Sequence, residues 1–104
     1  MPRRAAPSVN RHRFSNRADR DLRDIYLHGV ENFGLAQAER YRLALDDCFA
    51  RLSEFPRMGR LSDTIRAGLR RQEHGSHVAI YREHSDHVLI VAVVHGRRVK
   101  GLKL

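Results

Sequence analysis

The sequence predicts an α+β fold: an N-terminal antiparallel helical hairpin packed on a small antiparallel β-sheet. Three observations predict it. Apolar residues recur at helical spacing twice between Ser15 and Phe55, with Gly34 separating the two runs. From Gly68 onward the pattern changes to short alternating or continuously apolar stretches separated by tight-turn residues. Each helix carries one apolar stripe, and two stripes facing only each other would leave apolar surface in water, so a third layer is required.

The elements follow in order. Residues Met1 to Asn10 contain Pro2 and Pro7 and little apolar material, and read as a flexible tail, with residues 11–104 as one domain. Val9 to Phe14 reads as a short edge strand. Ser15 is an N-cap candidate; Ala18, Leu22, Ile25, Tyr26, Gly29, Val30 and Phe33 then fall on one helical face, and Gly34 is placed as a C-cap. Asp19 and Asp21 sit early, where the helix dipole favours acids. The second helix carries Ala38, Tyr41, Leu45, Cys48, Phe49, Leu52 and Phe55 on its apolar line and ends at Pro56. The short connection at Gly34 folds the pair back antiparallel. Pro56 to Thr64 reads as a loop. Gly68–Glu73, His77–His84 and Val88–Val94 read as an antiparallel meander with turns at His74–Ser76 and Ser85–Asp86. Val88–Val94 is almost unbroken apolar sequence, as in a central strand buried on both faces. His95 to Lys103 is expected to leave the sheet as a polar, cationic tail with little apolar material to dock it.

Composition narrows the function. At 104 residues and 41% hydrophobic content the chain suits one small folded domain rather than a disordered one. No apolar run approaches the roughly 20 residues of a membrane helix, and Met1 to Arg13 lacks a signal-like apolar stretch, so a cytoplasmic protein is expected. Cys48 stands alone, which excludes an internal disulfide and fits a reducing compartment. Lysine and arginine number 20 against 12 acidic residues, a net +8 that implies nucleic acid or an acidic protein as partner, unless the surface is merely basic.

The candidate chemistry lies in the strand half, which holds His74, His77, His84, His87 and His95. His74 and His77 are an odd number apart, so a continuous strand would point them to opposite faces; His84 and His87 flank a turn that lets them approach. A metal site needs converging ligands, and none is expected. His95 closes the last strand, either as a structural cap or as a general base. Arg70, Arg71, Arg82, Arg97 and Arg98 can grip phosphate or carboxylate bidentately or form a solvated face. Arg97 and Arg98 follow the last strand together beside Lys100 and Lys103, which marks them for function. Tyr26, Tyr41 and Phe49 lie on apolar helix faces, where core packing competes with stacking on a partner. No Gly-rich phosphate loop, nucleophile elbow or paired carboxylates stand out, so no cofactor is expected.

At these residues the chain resembles a known family. Asp21–Leu22, Ile25–Tyr26, Asn32–Phe33–Gly34, Gln37–Ala38 and Tyr41 resemble the first half of ParE toxins. Pro56 with Gly59–Arg60, then Gly68–Arg71, Gly75–His77, Ile80–Arg82 and Val94–Arg97, resemble the rest in order and spacing, over roughly Phe14 to Arg98. The resemblance implies the RelE/ParE fold and a toxin that stalls DNA gyrase on cleaved DNA. It also implies neutralisation by a ParD-like antitoxin, whose flexible C-terminal part wraps the toxin and whose N-terminal part is a DNA-binding ribbon-helix-helix. The sister RelE branch cuts mRNA in the ribosome, using basic residues near strand ends and often a tyrosine close to the C-terminus. Arg82 and Arg98 match two such basic positions, but a leucine, taken as Leu104, stands at the tyrosine position. That departure favours the gyrase inhibitor over the ribosome-dependent endoribonuclease; an inactive member that only binds its partner is the third reading. Under the family reading, Arg82, His95, Arg97, Arg98 and Lys100 are candidates for meeting the target, and Arg70, Arg71, Tyr26 and Tyr41 for meeting the antitoxin.

Overall fold

The computed structural model of the protein describes residues 11–104. Its elements are β1 (His12–Phe14), α1 (Asn16–Phe33), α2 (Leu35–Glu54), β2 (Arg60–Leu61), β3 (Leu69–His74), β4 (His77–Glu83), β5 (Val88–His95) and a 3-10 turn at Gly96–Arg98. The expected caps are present. The Ser15 hydroxyl accepts from the Ala18 N–H at 3.0 Å, and Gly34 ends α1 at φ 88°, with its N–H on the Val30 carbonyl. Of the residues expected on one face of α2, Ala38, Leu45, Cys48, Phe49 and Leu52 are buried and Tyr41 is half-buried, whereas Phe55 lies past the last turn and is 58% exposed. Val9 and Asn10, the start of the expected edge strand, lie outside the described residues, as does the expected 1–10 tail.

The sheet order is β1-β5-β4-β3-β2. Two features depart from the meander read in the sequence. Arg60–Leu61, inside the expected loop, pairs with Arg70–Arg71 as a two-residue edge strand. β1 runs parallel to β5, so the sheet is mixed. A parallel neighbour here needs a long crossover, and the whole hairpin and meander provide it. β5 is therefore central, as its unbroken apolar sequence requires.

Between Ile80–Tyr81 of β4 and its partners the register slips, which makes Val91 an extra residue in β5. The backbone groups the bulge frees are taken by α1. Ser15 donates its N–H to the Ile90 carbonyl (3.0 Å) and its hydroxyl to the Val91 carbonyl (2.7 Å), while the Val93 N–H donates to Asp21 Oδ2 (2.9 Å). The bulge thus fixes where α1 lies on the sheet.

Both faces of the sheet are apolar. The hairpin covers one with Leu22, Leu45, Phe49 and Leu52 against Tyr81, Ile90 and Val93. The other holds Leu69, Val78, Ile80, Ala92 and Val94, and is covered by Val99, Leu102, Leu104 and Ile65. This corrects the expectation of an undocked tail: Val99 is only 8% exposed, because a sheet apolar on both sides needs a second cover. Arg97, Arg98, Lys100 and Lys103 remain exposed around these anchors.

Candidate functional site

The hairpin and the sheet end enclose a groove in two joined parts. Near the hairpin tip, Gly29 lets the helices close: an added Cβ would lie 3.3 Å from that of Ala38. Beneath this contact lies a cavity of about 250 Å³ walled by Leu22, Ile25, Tyr26, Phe33, Tyr41 and His77. Ile25, His28 and His77 also line the adjoining concavity of about 590 Å³, which runs on to His95, Arg97, Arg98 and Arg17, with Asp21 and Asp24 in its wall. One end of the groove is apolar and the other cationic.

Tyr41 and His77 stand at the junction. The Tyr41 hydroxyl lies 2.6 Å from His77 Nδ1 and donates to the His74 carbonyl at 3.1 Å. A hydroxyl has one proton, so the arrangement that satisfies both contacts has His77 Nδ1–H donating to Tyr41 Oη, leaving Nε2 as an acceptor. Burial pushes the Tyr41 phenol up, opposed by a backbone hydrogen bond from Ser76. Burial first, then His95, His28 and His74, hold His77 below the usual imidazole range, so it stays neutral near pH 7. Gly75 is required here on two counts: its φ is 56°, and an added Cβ would lie 2.8 Å from Tyr41 Oη.

His74 and His77 are cross-strand partners across the two-residue turn, so they share a face and both pack on the Tyr41 ring; the odd-spacing argument fails because the strand is not continuous. His77 meets the edge of His95 at 5.7 Å, and His95 Nδ1 accepts from the Arg97 N–H at 3.2 Å, capping the 3-10 turn. Gly96 N–H donates to the Ser76 carbonyl at 2.8 Å. The β3–β4 turn, Tyr41 and the Arg97–Arg98 turn are thereby tied into one unit. His84 and His87 stack at 4.6 Å, at the other end of the strands.

The structure therefore brings together His95, Arg97, Arg98, Tyr26 and Tyr41 among the expected residues. It adds His77, seen in the sequence only as one of several strand-half histidines, and His28 and Arg17, which helical spacing alone could not assign to a site. Arg82 is not with them. It lies five residues along β4 from His77, about 17 Å away at the strand rise, opposite Leu69 and Leu89. Arg70 is tied into the fold: its Nη1 donates to the Gly59 carbonyl at 2.8 Å, beside the fully buried Tyr81, whose hydroxyl accepts from the Gly59 N–H and donates to the Pro56 carbonyl. Arg71 and Lys100 meet on the opposite face of the sheet, in a concavity formed with the C-terminal segment. Among the described residues no three His, Cys, Asp or Glu side chains are grouped to hold a metal ion, and no helix is long and apolar enough to cross a membrane. Cys48 is buried and its thiol is pushed up by burial, which makes it a core residue.

A two-helix hairpin on a mainly antiparallel sheet is the RelE/ParE toxin fold, as structural neighbours from two toxin–antitoxin systems show. In the chromosomal ParDE toxin–antitoxin system of P. aeruginosa, a chain of the same fold superposes at TM-score 0.71 over 85% of this protein and 97% of that chain, at 19% identity. A chain of the RelBE2 toxin–antitoxin complex of Mycobacterium tuberculosis superposes at TM-score 0.62, at 27% identity, over 84% and 98%. The model of the ParE toxin of type II toxin–antitoxin systems matches residues 12–100. Toxin ParE1 of Caulobacter vibrioides is 38% identical over 81% of this chain and 86% of its own length, and Toxin ParE1 of Mycobacterium tuberculosis is 34% identical over 85% and 91%. The chain belongs to the ParE toxin family.

Proposed function

We propose that this ParE-family toxin acts in the cytoplasm by binding DNA gyrase and stalling it on cleaved DNA, rather than as an enzyme. We also propose that a ParD-like, ribbon-helix-helix antitoxin neutralises it. The observation that carries the reading is the two-part groove. Its apolar end suits the anchors of an amphipathic antitoxin segment, with Tyr26 and Tyr41 in its walls. Its cationic end presents His95, Arg97 and Arg98 to an acidic target surface. Arg82 and Lys100 stand apart from that end, and Arg70 is engaged within the fold, so their part in either contact is secondary.

One observation favours the endoribonuclease alternative: His77 and His95 share a concavity with Arg97 and Arg98, the residue types that metal-independent phosphodiester cleavage employs. Against it, Arg82 is remote from Arg98 and no tyrosine follows His95. Purified gyrase, supercoiled DNA and the toxin separate the two readings. The gyrase reading requires accumulation of cleaved-DNA complexes; intact DNA together with rapid mRNA cleavage on ribosomes would transfer the assignment to the nuclease.

A further inference from the structure

The concavity behind the sheet differs chemically from the groove. It measures about 820 Å³, and its ionisable lining side chains are Arg71, Lys100 and Lys103, with no acidic side chain among them. The groove, by contrast, has Asp21 and Asp24 in its wall. Among the described residues neither lysine takes part in an ion pair. Arg71 reaches Glu73 through Nη2 at 3.1 Å, but the same Glu73 oxygen holds Arg60 at 2.9 Å, so one carboxylate serves two guanidinium groups. The Arg71 Nε–H is buried with no acceptor. A buried donor left unmet is uncommon in a folded protein and calls for an explanation.

One group would supply both the missing acceptor and the missing charge. We propose that this concavity binds a phosphate group, carried by a free nucleotide or by a nucleic-acid strand. Three cationic residues and Thr64 line the space. A carboxylate offers two oxygens and one charge, whereas a terminal phosphate offers three strong acceptor oxygens and close to two charges, and successive backbone phosphates offer more. Ile65 and Leu102 line the same space and give the sugar or base an apolar wall. The size falls within the roughly 300–1,000 Å³ of small-molecule sites. Binding requires the Arg71 head to turn from the Glu73 carboxylate that it shares with Arg60, so that Nε and Nη2 meet the ligand together, the fork that suits phosphate. The site is separate from the groove and does not depend on what the groove binds.

The test is an NMR titration of the isotope-labelled chain, following the Arg71 Nε–H signal and the Lys100 and Gly101 amides. Three ligands are used separately at low salt: ATP, a 5′-phosphorylated 12-nucleotide single-stranded DNA, and a glutamate-rich peptide. Saturable shifts with ATP assign a free nucleotide, and shifts with DNA alone assign a strand. Lys100→Gln with Lys103→Gln, both exposed, should weaken that binding at least tenfold while leaving the amide spectrum folded, and Arg71→Lys should weaken it despite keeping the charge. Absence of saturable shifts with either phosphate ligand at millimolar concentration overturns the proposal. So does an acidic peptide that binds as tightly, or a double variant that binds as well as the parent.

Discussion

The two ends of β4 use the same residue types for opposite purposes. At the Glu83 end, Tyr81 is 0% exposed, its hydroxyl joins the Gly59 N–H to the Pro56 carbonyl, and Arg70 closes the same loop. At the His77 end, Tyr41 is half-buried and its hydroxyl faces an imidazole beside a groove, with exposed arginines a few residues away. A tyrosine whose hydroxyl is bonded twice to backbone, and an arginine anchored on a loop carbonyl, hold the fold. The same pair with a free nitrogen and free guanidinium groups nearby is available to a partner. Satisfaction of hydrogen bonds, more than residue identity, separates structure from site here.

That contrast predicts the largest effect at the closed end. Gly59→Ala places a Cβ 2.5 Å from Tyr81 Oη and 2.6 Å from the Arg71 carbonyl, so the loop must move. It should cost about 2–3 kcal/mol, as overpacking in a closed site does. Tyr81→Phe leaves the buried Gly59 N–H without its acceptor and should cost about 1–3 kcal/mol. Denaturant melts measure both, and a loss under about 0.5 kcal/mol for either, the size of a surface change, would erase the contrast.

The open end should respond to pH instead. His77 is held below the ordinary imidazole value of 6.5, mainly by burial, and His12 is held low for the same reason. The unfolded chain therefore takes up protons first as pH falls. Stability is fully present above about pH 6.5, declines below it, and levels off once pH passes the folded value of each group. Thermal melts at pH 7.5 and 5.0 should show a drop on acidification, and His77→Gln should make the drop smaller. An equal drop in both proteins would mean that His77 titrates as in water.

A smaller change is expected at Tyr41. Tyr41→Phe removes a half-buried hydroxyl whose partners can reach solvent, so it should cost about 1 kcal/mol or less. It should also shift the His77 imidazole resonances, since Nδ1 loses its oxygen partner. Unshifted resonances would remove Tyr41 from the junction.

Much of this was legible in the residues. The caps at Ser15 and Gly34, the two apolar stripes and the central strand all follow from local spacing and composition. β1 could be read as an edge strand, but not its parallel pairing, which joins residues 76 positions apart and depends on the bulge at Val91. The docking of the C-terminal segment is masked in the sequence because its charges outnumber its anchors, although Val99, Leu102 and Leu104 carry the signal. The site was legible only in part. Arg97, Arg98 and His95 announce themselves by adjacency and His77 meets His95 through the β4–β5 register, whereas His28 and Arg17 join them only when α1 is laid on the sheet, a tertiary fact with no local spacing.

The central claim is that the cationic end of the groove carries toxicity and is energetically separable from the fold. Replacing Arg97 and Arg98 together by alanine tests it most directly, because both side chains are exposed and the segment is held by Val99 and Leu102 instead. The paired measurement is a thermal melt and the yield of cleaved gyrase–DNA complexes for the double variant. The predicted result is a fold stability within about 0.5 kcal/mol of the parent, as for surface changes, with cleavage complexes sharply reduced. Full formation of cleavage complexes with an unchanged melt, or their loss through a collapsed melt, would contradict it.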